Sequence, residues 1–471
     1  MRQIKSVFIN GSFTEPMGTE TAEIVSPLDG RVVAQLTYAD EADTLRAIAA
    51  ASAALVSYSQ SSVIERASYL QRIHDEIVKR IDGLIHTTIV EYGAPRERAK
   101  WSNLIAATTF LNQIPVMKNY PFERTVNESK VVMEPIGVAA LFTPWNAAAG
   151  SIAVKVAAAL AAGCTVVLKP SEFGSMQAEI IMECIAAAGL PNGVVNMVNG
   201  RGDVISKVLM ESPEVTKISF TGSTLVGKIL AKKAVDTMKR VTLELGGKSA
   251  NIILEDADLA RAIPLALQAS FMNNGQACIA GTRLLVPETR IDEVKVLLRN
   301  EAPQFTVGNP LTDNVKIGPL VSKKQFDRIQ QYIQIGIDEG AELLYGGIGR
   351  PEGSTDGYYV KPTIFTGVNN QMQIAREEIF GPVLSVISYR DEQEAIAIAN
   401  DSEYGLMAYV SSGDAKRAEQ VARHLKAGRV LINTLKHDPF APFGGFKNSG
   451  IGRENGELGM NEFLEPKTLI A

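Results

Sequence analysis

One cysteine lies in a local sequence suited to nucleophilic chemistry. Cys278 ends the run Asn273-Asn-Gly-Gln-Ala-Cys278, which follows a helical pattern that begins at Leu259. We expect Gly275 to break this helix and to leave the thiol on an accessible turn. A thiolate on such a turn can add to a carbonyl carbon. The alternative interpretation is a small buried apolar residue, which is the common role of a free cysteine.

A carboxylate occurs in a similarly open context. Glu244 follows the β-rich run Val241–Leu243 and precedes Leu245-Gly-Gly247. Because the two glycines have no side chain to shield it, this acid can project from the strand end into a cleft. Partial burial would raise its pKa and suit it to general-base catalysis. The alternative is an acid that is simply solvated at the end of a strand.

Two further segments could hold a nucleotide. The glycine-rich run Phe220-Thr-Gly-Ser-Thr-Leu-Val-Gly227 follows a predicted strand and opens a predicted helix, where backbone N–H groups and the helix dipole favour a pyrophosphate. Lys169-Pro-Ser-Glu172 ends a neighbouring strand and could bind ribose hydroxyls, although Lys-Pro-Ser is also typical of a turn. Neither segment matches a P-loop or the G-x-G-x-x-G pattern of many dinucleotide sites.

The elements that must position these residues fall into three groups. Apolar residues at helical spacing predict helices over Thr44–Tyr58, Val63–Ile81 and Arg96–Leu111, and we expect Pro115 and Pro121 to end this region. From Gly137, short apolar β-runs alternate with helical stretches. A second alternating region covers residues 250–433, and a final β-run is predicted over Lys467–Ile470.

Strand–helix alternation of this length is typical of parallel strands joined by right-handed crossovers. In the first region the predicted strands are apolar throughout, as expected when both faces of a sheet are covered. The predicted fold is therefore α/β, with a doubly wound parallel sheet followed by a second α/β domain. The first strands and helices are Val138–Phe142, Thr165–Leu168, Val194–Val198, Lys217–Phe220 and Val241–Leu243, with Ile152–Ala161, Ser175–Ala188, Asp203–Met210 and Thr224–Val235 between them.

Composition excludes several classes of protein. The chain has 471 residues, with 47 basic and 52 acidic side chains, so it lacks the basic excess of a nucleic-acid-binding protein. Its 46% hydrophobic and 21% charged content argues against a disordered chain. The most apolar stretch, Ser151–Val167, contains Lys155 and Gly163 and is too short to span a membrane.

The cysteines suggest a reducing compartment, and the histidines suggest that no metal is bound. Met1–Phe13 has no apolar core of a secretory signal, and three dispersed cysteines cannot form a disulfide framework. We therefore expect a cytoplasmic protein. The four histidines have no partners at metal-ligand spacing, so no metal site is predicted.

Seven motifs in a single order connect these observations. They are Thr143-Pro-Trp-Asn146, Lys169-Pro-Ser-Glu172, Phe220-Thr-Gly-Ser-Thr224, Leu243-Glu-Leu-Gly-Gly-Lys248, Gly275-Gln-Ala-Cys278, Glu377-Glu-Ile-Phe-Gly-Pro-Val383, and Pro442-Phe-Gly-Gly-Phe-Lys447 with Ser449-Gly-Ile-Gly-Arg453. In these motifs the chain resembles the aldehyde dehydrogenase superfamily of NAD(P)-dependent enzymes. The resemblance implies oxidation of an aldehyde to an acid through a cysteine thiohemiacetal and a thioester.

The resemblance also implies residue roles. Cys278 would be the nucleophile, and Glu244 the base that activates the thiol or the deacylating water. Asn146 would form the oxyanion hole with the Cys278 backbone N–H, and Lys155 and Glu454 would form a proton-exit path. The cofactor, NAD with NADP as an alternative, would be bound by Trp145, Lys169, Glu172, Gly222, Ser223, Glu378 and Phe380.

The family layout implies three structural parts. Residues 1–116 and 136–246 would form the cofactor domain, and residues 247–445 the catalytic domain. Residues 117–135 and 446–471 would form a small β element that pairs subunits into a homodimer or homotetramer. This element would include a hairpin over Met117–Pro135.

The expected substrate tunnel departs from the common family pattern. Ala147-Ala-Ala-Gly150 and Ser151 replace bulkier residues, and Val154 stands where tryptophan is common, so the pocket should be wider. Lys436 and His437 near the opposite wall would suit an aldehyde with a carboxylate, phosphate or hydroxyls, unless both face solvent.

Other thiol chemistries remain as alternatives. A thiol-dependent acyl transferase or hydrolase would not need the cofactor residues. CoA-acylating relatives generally lack an acid equivalent to Glu244, so its presence favours hydrolysis, and a non-catalytic relative would be expected to lose Cys278.

Overall fold

Two large, mainly parallel sheets dominate the fold. The computed structural model describes residues 2–354 and 356–470. The strands are β1 (Arg2–Ile4), β2 (Val7–Ile9), β3 (Ser12–Thr14), β4 (Thr21–Val25), β5 (Val32–Thr37), β6 (Glu123–Val126), β7 (Ser129–Pro135), β8 (Val138–Thr143), β9 (Thr165–Pro170), β10 (Val195–Val198), β11 (Val215–Thr221), β12 (Arg240–Glu244), β13 (Ala250–Ile253), β14 (Arg283–Pro287), β15 (Glu342–Tyr345), β16 (Thr363–Thr366), β17 (Val383–Tyr389), β18 (Met407–Ser411), β19 (Arg429–Ile432), β20 (Gly450–Ile451) and β21 (Leu464–Leu469).

Helices connect most of these strands. They are α1 (Glu41–Tyr58), α2 (Val63–Lys79), α3 (Ile81–Tyr92), α4 (Arg96–Asn119), α5 (Ala148–Ala162), α6 (Ser175–Ala187), α7 (Gly202–Glu211), α8 (Thr224–Val235), α9 (Leu259–Phe271), α10 (Ile291–Glu301), α11 (Lys323–Asp338), α12 (Gln373–Arg376), α13 (Glu392–Asn400), α14 (Ala415–His424) and α15 (Gly456–Asn461). No helix in the described ranges is both long and apolar enough to cross a membrane.

The first sheet has the order β20-β12-β11-β8-β9-β10-β2-β3. Its five central strands, from β12 to β10, are parallel. Helices α2, α4, α5 and α6 build an apolar core against one face, and α1, α7 and α8 build another against the opposite face. Coverage of both faces explains why β8 and β9 are buried along their whole length. The predicted doubly wound sheet is confirmed.

The second sheet has the order β15-β16-β17-β14-β13-β18-β19 and is parallel except for β15. Helices α9 and α10 pack against one region of it, and α13 and α14 against another. This sheet is the predicted second α/β unit. Its strands β15, β16 and β18 were absent from the sequence-based prediction.

A small antiparallel sheet joins distant parts of the chain. It has the order β21-β7-β6, and Leu464 to Leu469 on β21 pair with β7. The hairpin strands are Glu123–Val126 and Ser129–Pro135, so the predicted hairpin over 117–135 begins in the last turn of a helix. Earlier in the chain than β21, strand β20 pairs with β12. This pairing brings the glycine-rich motif near the C-terminus to the first sheet.

Two predicted helix ends were wrong. Helix α4 continues past Pro115 to Asn119. A proline removes one backbone hydrogen bond, but burial of Phe110 and Met117, both fully buried, holds the helix against the core. The helical pattern from Leu259 predicts a helix to Asn273, but α9 ends at Phe271, because Asn273 and Asn274 leave helical geometry for a loop that is described below.

Candidate active site

The loop that carries Cys278 is held in an unusual backbone conformation. Asn273 and Asn274 have φ angles of 54° and 60°, in the left-handed region that asparagine tolerates better than most residues. The Tyr92 hydroxyl donates to the Asn273 carbonyl at 2.9 Å, and Asn274 Nδ2 donates to the Gly93 carbonyl at 3.0 Å. The loop is therefore fixed against the α3–α4 connection, which presents the thiol on a rigid turn.

The loop after β12 packs directly against this turn. A Cβ atom on Gly247 would lie 2.4 Å from the Cys278 carbonyl oxygen, so only glycine allows this approach. Burial, together with the neighbouring carboxylates of Glu378 and Glu244, raises the pKa of the Cys278 thiol to about 12. The group is thus a thiol at neutral pH, and it needs a base to become a nucleophile.

Glu244 is a buried acid whose charge acts on the thiol. Glu244 is only 2% exposed. Among the described residues, neither of its carboxylate oxygens has a hydrogen-bond partner. Burial first, and then the charge of Glu454, raises the pKa of Glu244 well above its ordinary value, while Lys155 and Arg453 oppose the shift. The solvated-acid alternative is therefore excluded.

The C-terminal glycine motif shapes the space around this acid. A Cβ atom on Gly444 would lie 2.7 Å from Glu244 Oε1, and this glycine has a φ of 149°. A larger residue would displace the carboxylate. The glycine at position 444 is thus explained by its close approach to Glu244.

Asn146 lies beside the cysteine loop. Its Nδ2 donates to the Gln276 carbonyl at 2.8 Å, and its own carbonyl accepts from Asn273 Nδ2 at 2.9 Å. These bonds bring the Asn146 amide to the turn that carries Cys278. The amide is thus placed to donate to a substrate oxygen near the thiol.

A buried row of charged groups begins near Glu244. Lys155, 1% exposed, donates to Glu454 Oε1 at 2.5 Å and to Ser219 Oγ at 2.9 Å. Glu454 thus accepts from Lys155, and its charge also acts on Glu244. The structure brings together the two residues of the predicted proton path, Lys155 and Glu454, within electrostatic reach of Glu244.

The row continues along the same face of the first sheet. Lys217 and Ser219 are two residues apart on β11, and Thr242 and Glu244 are two apart on β12, so their side chains share a face. Lys217 donates to Thr242 Oγ1 at 2.6 Å and to Glu462 Oε2 at 3.2 Å, and Thr242 donates to Glu462 at 2.9 Å. We call Lys155, Glu454, Lys217 and Glu462 the buried charge row.

A cleft with aromatic walls lies beside the thiol. The rings of Trp145 and Phe380 meet edge to face, with centroids 5.3 Å apart. Glu378 Oε1 accepts from the Gly247 N–H at 3.1 Å, and burial raises the pKa of Glu378 to about 7. A flat ring and a carboxylate acceptor are what a nicotinamide riboside needs.

The residues predicted to hold the rest of the cofactor also lie at strand ends. Lys169, at the end of β9, donates to Glu172 Oε1 at 3.1 Å. Ser223 caps α8, and because its Oγ accepts from the Val226 N–H at 3.4 Å, its hydroxyl proton remains available to a phosphate. With Gly222 before the helix, these groups fit the adenosine ribose and the pyrophosphate of NAD.

Sequence reasoning missed the residues that support the site. Tyr92, Asn273 and Gln276 fix the cysteine loop, and Arg98 and Trp101 lie on the next helix beside it. The Asn-Asn-Gly sequence was a usable signal, since asparagine and glycine are the residues that adopt positive φ. Tyr92, Arg98 and Trp101 lie on helices, and their local sequence contained no comparable signal. Among the described residues, no group of three or more His, Cys, Asp or Glu side chains is placed to hold a metal ion.

The fold and this site define a two-sheet α/β protein with a cysteine turn, a buried carboxylate and a cleft suited to a nucleotide. The model of the aldehyde dehydrogenase family matches residues 13–469. The chain is 43% identical to a 3-succinoylsemialdehyde-pyridine dehydrogenase from Pseudomonas sp. over 100% of this chain and 99% of that protein.

Solved structures of aldehyde dehydrogenases superpose closely on this chain. The chain matches a Pseudomonas syringae aldehyde dehydrogenase C mutant in complex with NAD⁺ and octanal, with a TM-score of 0.98, 42% identity, and coverage of 99% and 96% of the two chains. A betaine aldehyde dehydrogenase from Staphylococcus aureus in complex with NAD⁺ matches with a TM-score of 0.96 and 33% identity, over 99% of this chain and 94% of that one.

The chain therefore belongs to the aldehyde dehydrogenase family. It is an NAD(P)-dependent enzyme that oxidises aldehydes to carboxylic acids.

Proposed function

We propose that this protein oxidises an aldehyde to the free acid with Cys278 as nucleophile and Glu244 as general base. The observation that carries the proposal is the Glu244 carboxylate, which is buried, without a hydrogen-bond partner among the described residues, and adjacent to the cysteine loop. A buried polar group without a partner is costly, so its retention favours a role in proton transfer. Single-turnover and steady-state kinetics of a Glu244 variant, described below, test this assignment.

In the first half of the reaction, Glu244 accepts the proton of Cys278. Both groups have raised pKa values, so the acid is a better match for this thiol than an ordinary carboxylate would be. The thiolate then adds to the aldehyde carbon. Asn146 Nδ2 and the Cys278 N–H donate to the developing oxyanion, an effect worth about 3–4 kcal/mol for a donor of this kind.

In the second half, Glu244 accepts a proton from the water that attacks the Cys278 thioester. When bound, NAD supplies the acceptor for the hydride that the substrate carbon loses before this step. Before water attacks, Lys155 and Glu454 relay the first proton, which came from the thiol, away from Glu244, since Lys155 already donates to Glu454. Cleavage of the C–S bond expels the thiolate, which recovers the proton that Glu244 took from water, and releases the acid.

We expect the enzyme to prefer NAD to NADP. Glu172 lies where it can accept from both ribose hydroxyls, and a 2′-phosphate would meet its negative charge. Its partner Lys169 partly offsets that repulsion, so we expect a preference of roughly tenfold in kcat/KM, about 1.4 kcal/mol. Initial rates with each cofactor measure this ratio, and Glu172→Gln should reduce it. A higher kcat/KM with NADP would overturn the prediction.

We also propose a homodimer or homotetramer in the cytoplasm. The small sheet ends in two strands that are unpaired on their outer sides, and the exposed fractions of Leu469 and Ile470 beside one edge are 49% and 82%. Such edges favour pairing with another copy. The three cysteines are free, which suits a reducing compartment.

Sedimentation analysis tests the assembly. We expect a species at least twice the 50.8 kDa chain mass, and removal of residues 465–471 should weaken assembly before it affects the chemistry at Cys278. That truncation leaves Glu454 and Glu462 in place. A weaker assembly would therefore not be caused by the loss of an acid from the buried charge row. A stable, active species of single-chain mass would contradict the proposal.

A further inference from the structure

Arg98 is a cation near the active site without an acidic partner. Its guanidinium lies over the Trp101 ring at 4.4 Å, and its Nε donates to Asn273 Oδ1 at 3.4 Å. Throughout residues 2–354 and 356–470, no carboxylate forms an ion pair with it. Arg98 is half-buried, and this burial lowers its pKa. Partial loss of water favours pairing of the guanidinium with an acid.

The surroundings of Arg98 include a second arginine, Arg429, whose charge also acts on His437. His437 packs edge-on against Trp101, with ring centroids 6.1 Å apart. Burial lowers the pKa of His437, and the charges of Arg429 and Arg98 lower it further, whereas Asp438 opposes them. These groups therefore face a common region in which cations outnumber acids.

The Asp438 carboxylate already accepts hydrogen bonds from its own loop. Its Oδ1 accepts from the Phe440 N–H at 2.9 Å and from the Ala441 N–H at 3.3 Å. Arg429 donates to the Pro442 carbonyl at 2.6 Å and lies over an aromatic ring. Arg98 thus remains the cation with the fewest protein partners in this cluster.

Arg98 is connected to the reaction centre through one residue. Asn273, which accepts from Arg98, also donates to the Asn146 carbonyl beside the thiol loop. Ser102, one turn along α4 from Arg98, lines a cavity whose other walls include Asn146, Ala147, Gly150 and Asn273. Asn273 thus lies on the cavity that Asn146 lines, and Arg98 reaches this cavity through its contact with Asn273.

We propose that Arg98, with Trp101 and His437 beside it, recognises a carboxylate at the far end of the aldehyde substrate. This inference rests on the proposed function, since it assumes that aldehydes react at Cys278. A guanidinium can bind a carboxylate through two parallel hydrogen bonds, and desolvation strengthens such a pair. The preferred substrates are then semialdehydes of carboxylic acids rather than unsubstituted aldehydes. Lys436, the other predicted cation, is exposed and is not required.

The test compares matched substrates. For wild type and Arg98→Met, kcat/KM is measured with four- to six-carbon aldehydes bearing a terminal carboxylate and with unsubstituted aldehydes of equal length. Methionine keeps the apolar packing on Trp101 but removes the charge. We expect the variant to lose roughly 10- to 150-fold with the carboxylate series, the range for a hydrogen bond to a charged group, and less than about threefold with the neutral series. Arg98→Lys should keep part of the preference.

Controls separate this proposal from a structural role and from the assignment of the chemistry. Arg96→Met changes an exposed arginine two residues away, whose partner is the Leu311 carbonyl, and should alter neither series. If Arg98 only supports Asn273, Arg98→Met would lower both series equally, and the proposal would be wrong. Calorimetry with unreactive dicarboxylates of the same lengths reads out binding alone: the Arg98→Met variant should bind them at least about tenfold more weakly, even if the Cys278 chemistry were misassigned. Equal binding by both proteins would refute the subsite.

Discussion

Replacing Cys278 with alanine should reduce aldehyde-dependent NADH formation to background. Alanine removes the atom that forms the covalent bond and leaves the loop bonds of Asn273 and Asn274 in place. Loss of a nucleophile that acts in concert with a base costs several orders of magnitude, and we expect at least roughly a 10⁴-fold decrease in kcat. Absorbance at 340 nm and ester hydrolysis both measure this loss. Substantial turnover by the variant would show that the nucleophile is elsewhere.

Cys184→Ala is the matched control for this experiment. Cys184 is a buried free thiol, whereas Cys278 is half-buried, and burial likewise raises the pKa of Cys184 to about 12. It lies within α6, away from the base and the asparagine loop. Its replacement should leave turnover unchanged. The two thiols are therefore distinguished by position and neighbours, not by titration.

The second large effect is expected from Glu244→Gln. The amide keeps the size of the side chain but cannot accept a proton, so deacylation should slow by roughly 10²–10⁴-fold, the usual contribution of a general base. Acylation should be spared more. Stopped-flow measurements should thus show a burst of about one NADH per active site, followed by slow turnover. A steady-state rate equal to that of wild type would exclude the base assignment.

The pH dependence gives an independent check. The base acts in its ionised form, and the pKa of Glu244 is raised in the folded protein. The wild-type deacylation rate should therefore be low below this pKa and increase as the pH rises through it. Glu244→Gln should abolish that increase, while Glu214→Gln, a change at a surface acid that bonds to Ser52, should leave it intact.

Local sequence was enough to select the two groups that we propose to react, because the signals for them are local. Glu244 follows a strand and precedes two glycines, and Cys278 follows Asn-Asn-Gly, so each context could be interpreted without knowledge of the rest of the chain. Lys155 and Glu454 are 299 residues apart, and only the family resemblance predicted that they act together. Arg98 and His437 come together through packing of separate elements, which no local pattern encodes.

The fold was predicted best where burial determines the sequence. The central strands β8 and β9 are apolar throughout because both faces are covered, and they were found within two residues of their bounds. The end of α4 was missed because tertiary packing of Met117 outweighs the local cost of Pro115. Strands β15, β16 and β18 were missed, although β18 is buried along its whole length.

The buried charge row has a consequence for the order in which the nascent chain matures. Lys155 and Lys217 are translated long before their acids, Glu454 and Glu462, which follow 299 and 245 residues later. At about 5–20 residues per second, each lysine waits roughly 10–60 s on the ribosome for its counter-ion. Closing the core over an uncompensated ammonium costs several kcal/mol, so the first sheet should stay open on that face in the meantime. Ribosome-bound chains stalled before residue 454 should therefore expose this face to proteases and chaperones, and the catalytic base should acquire its final environment among the last events of synthesis.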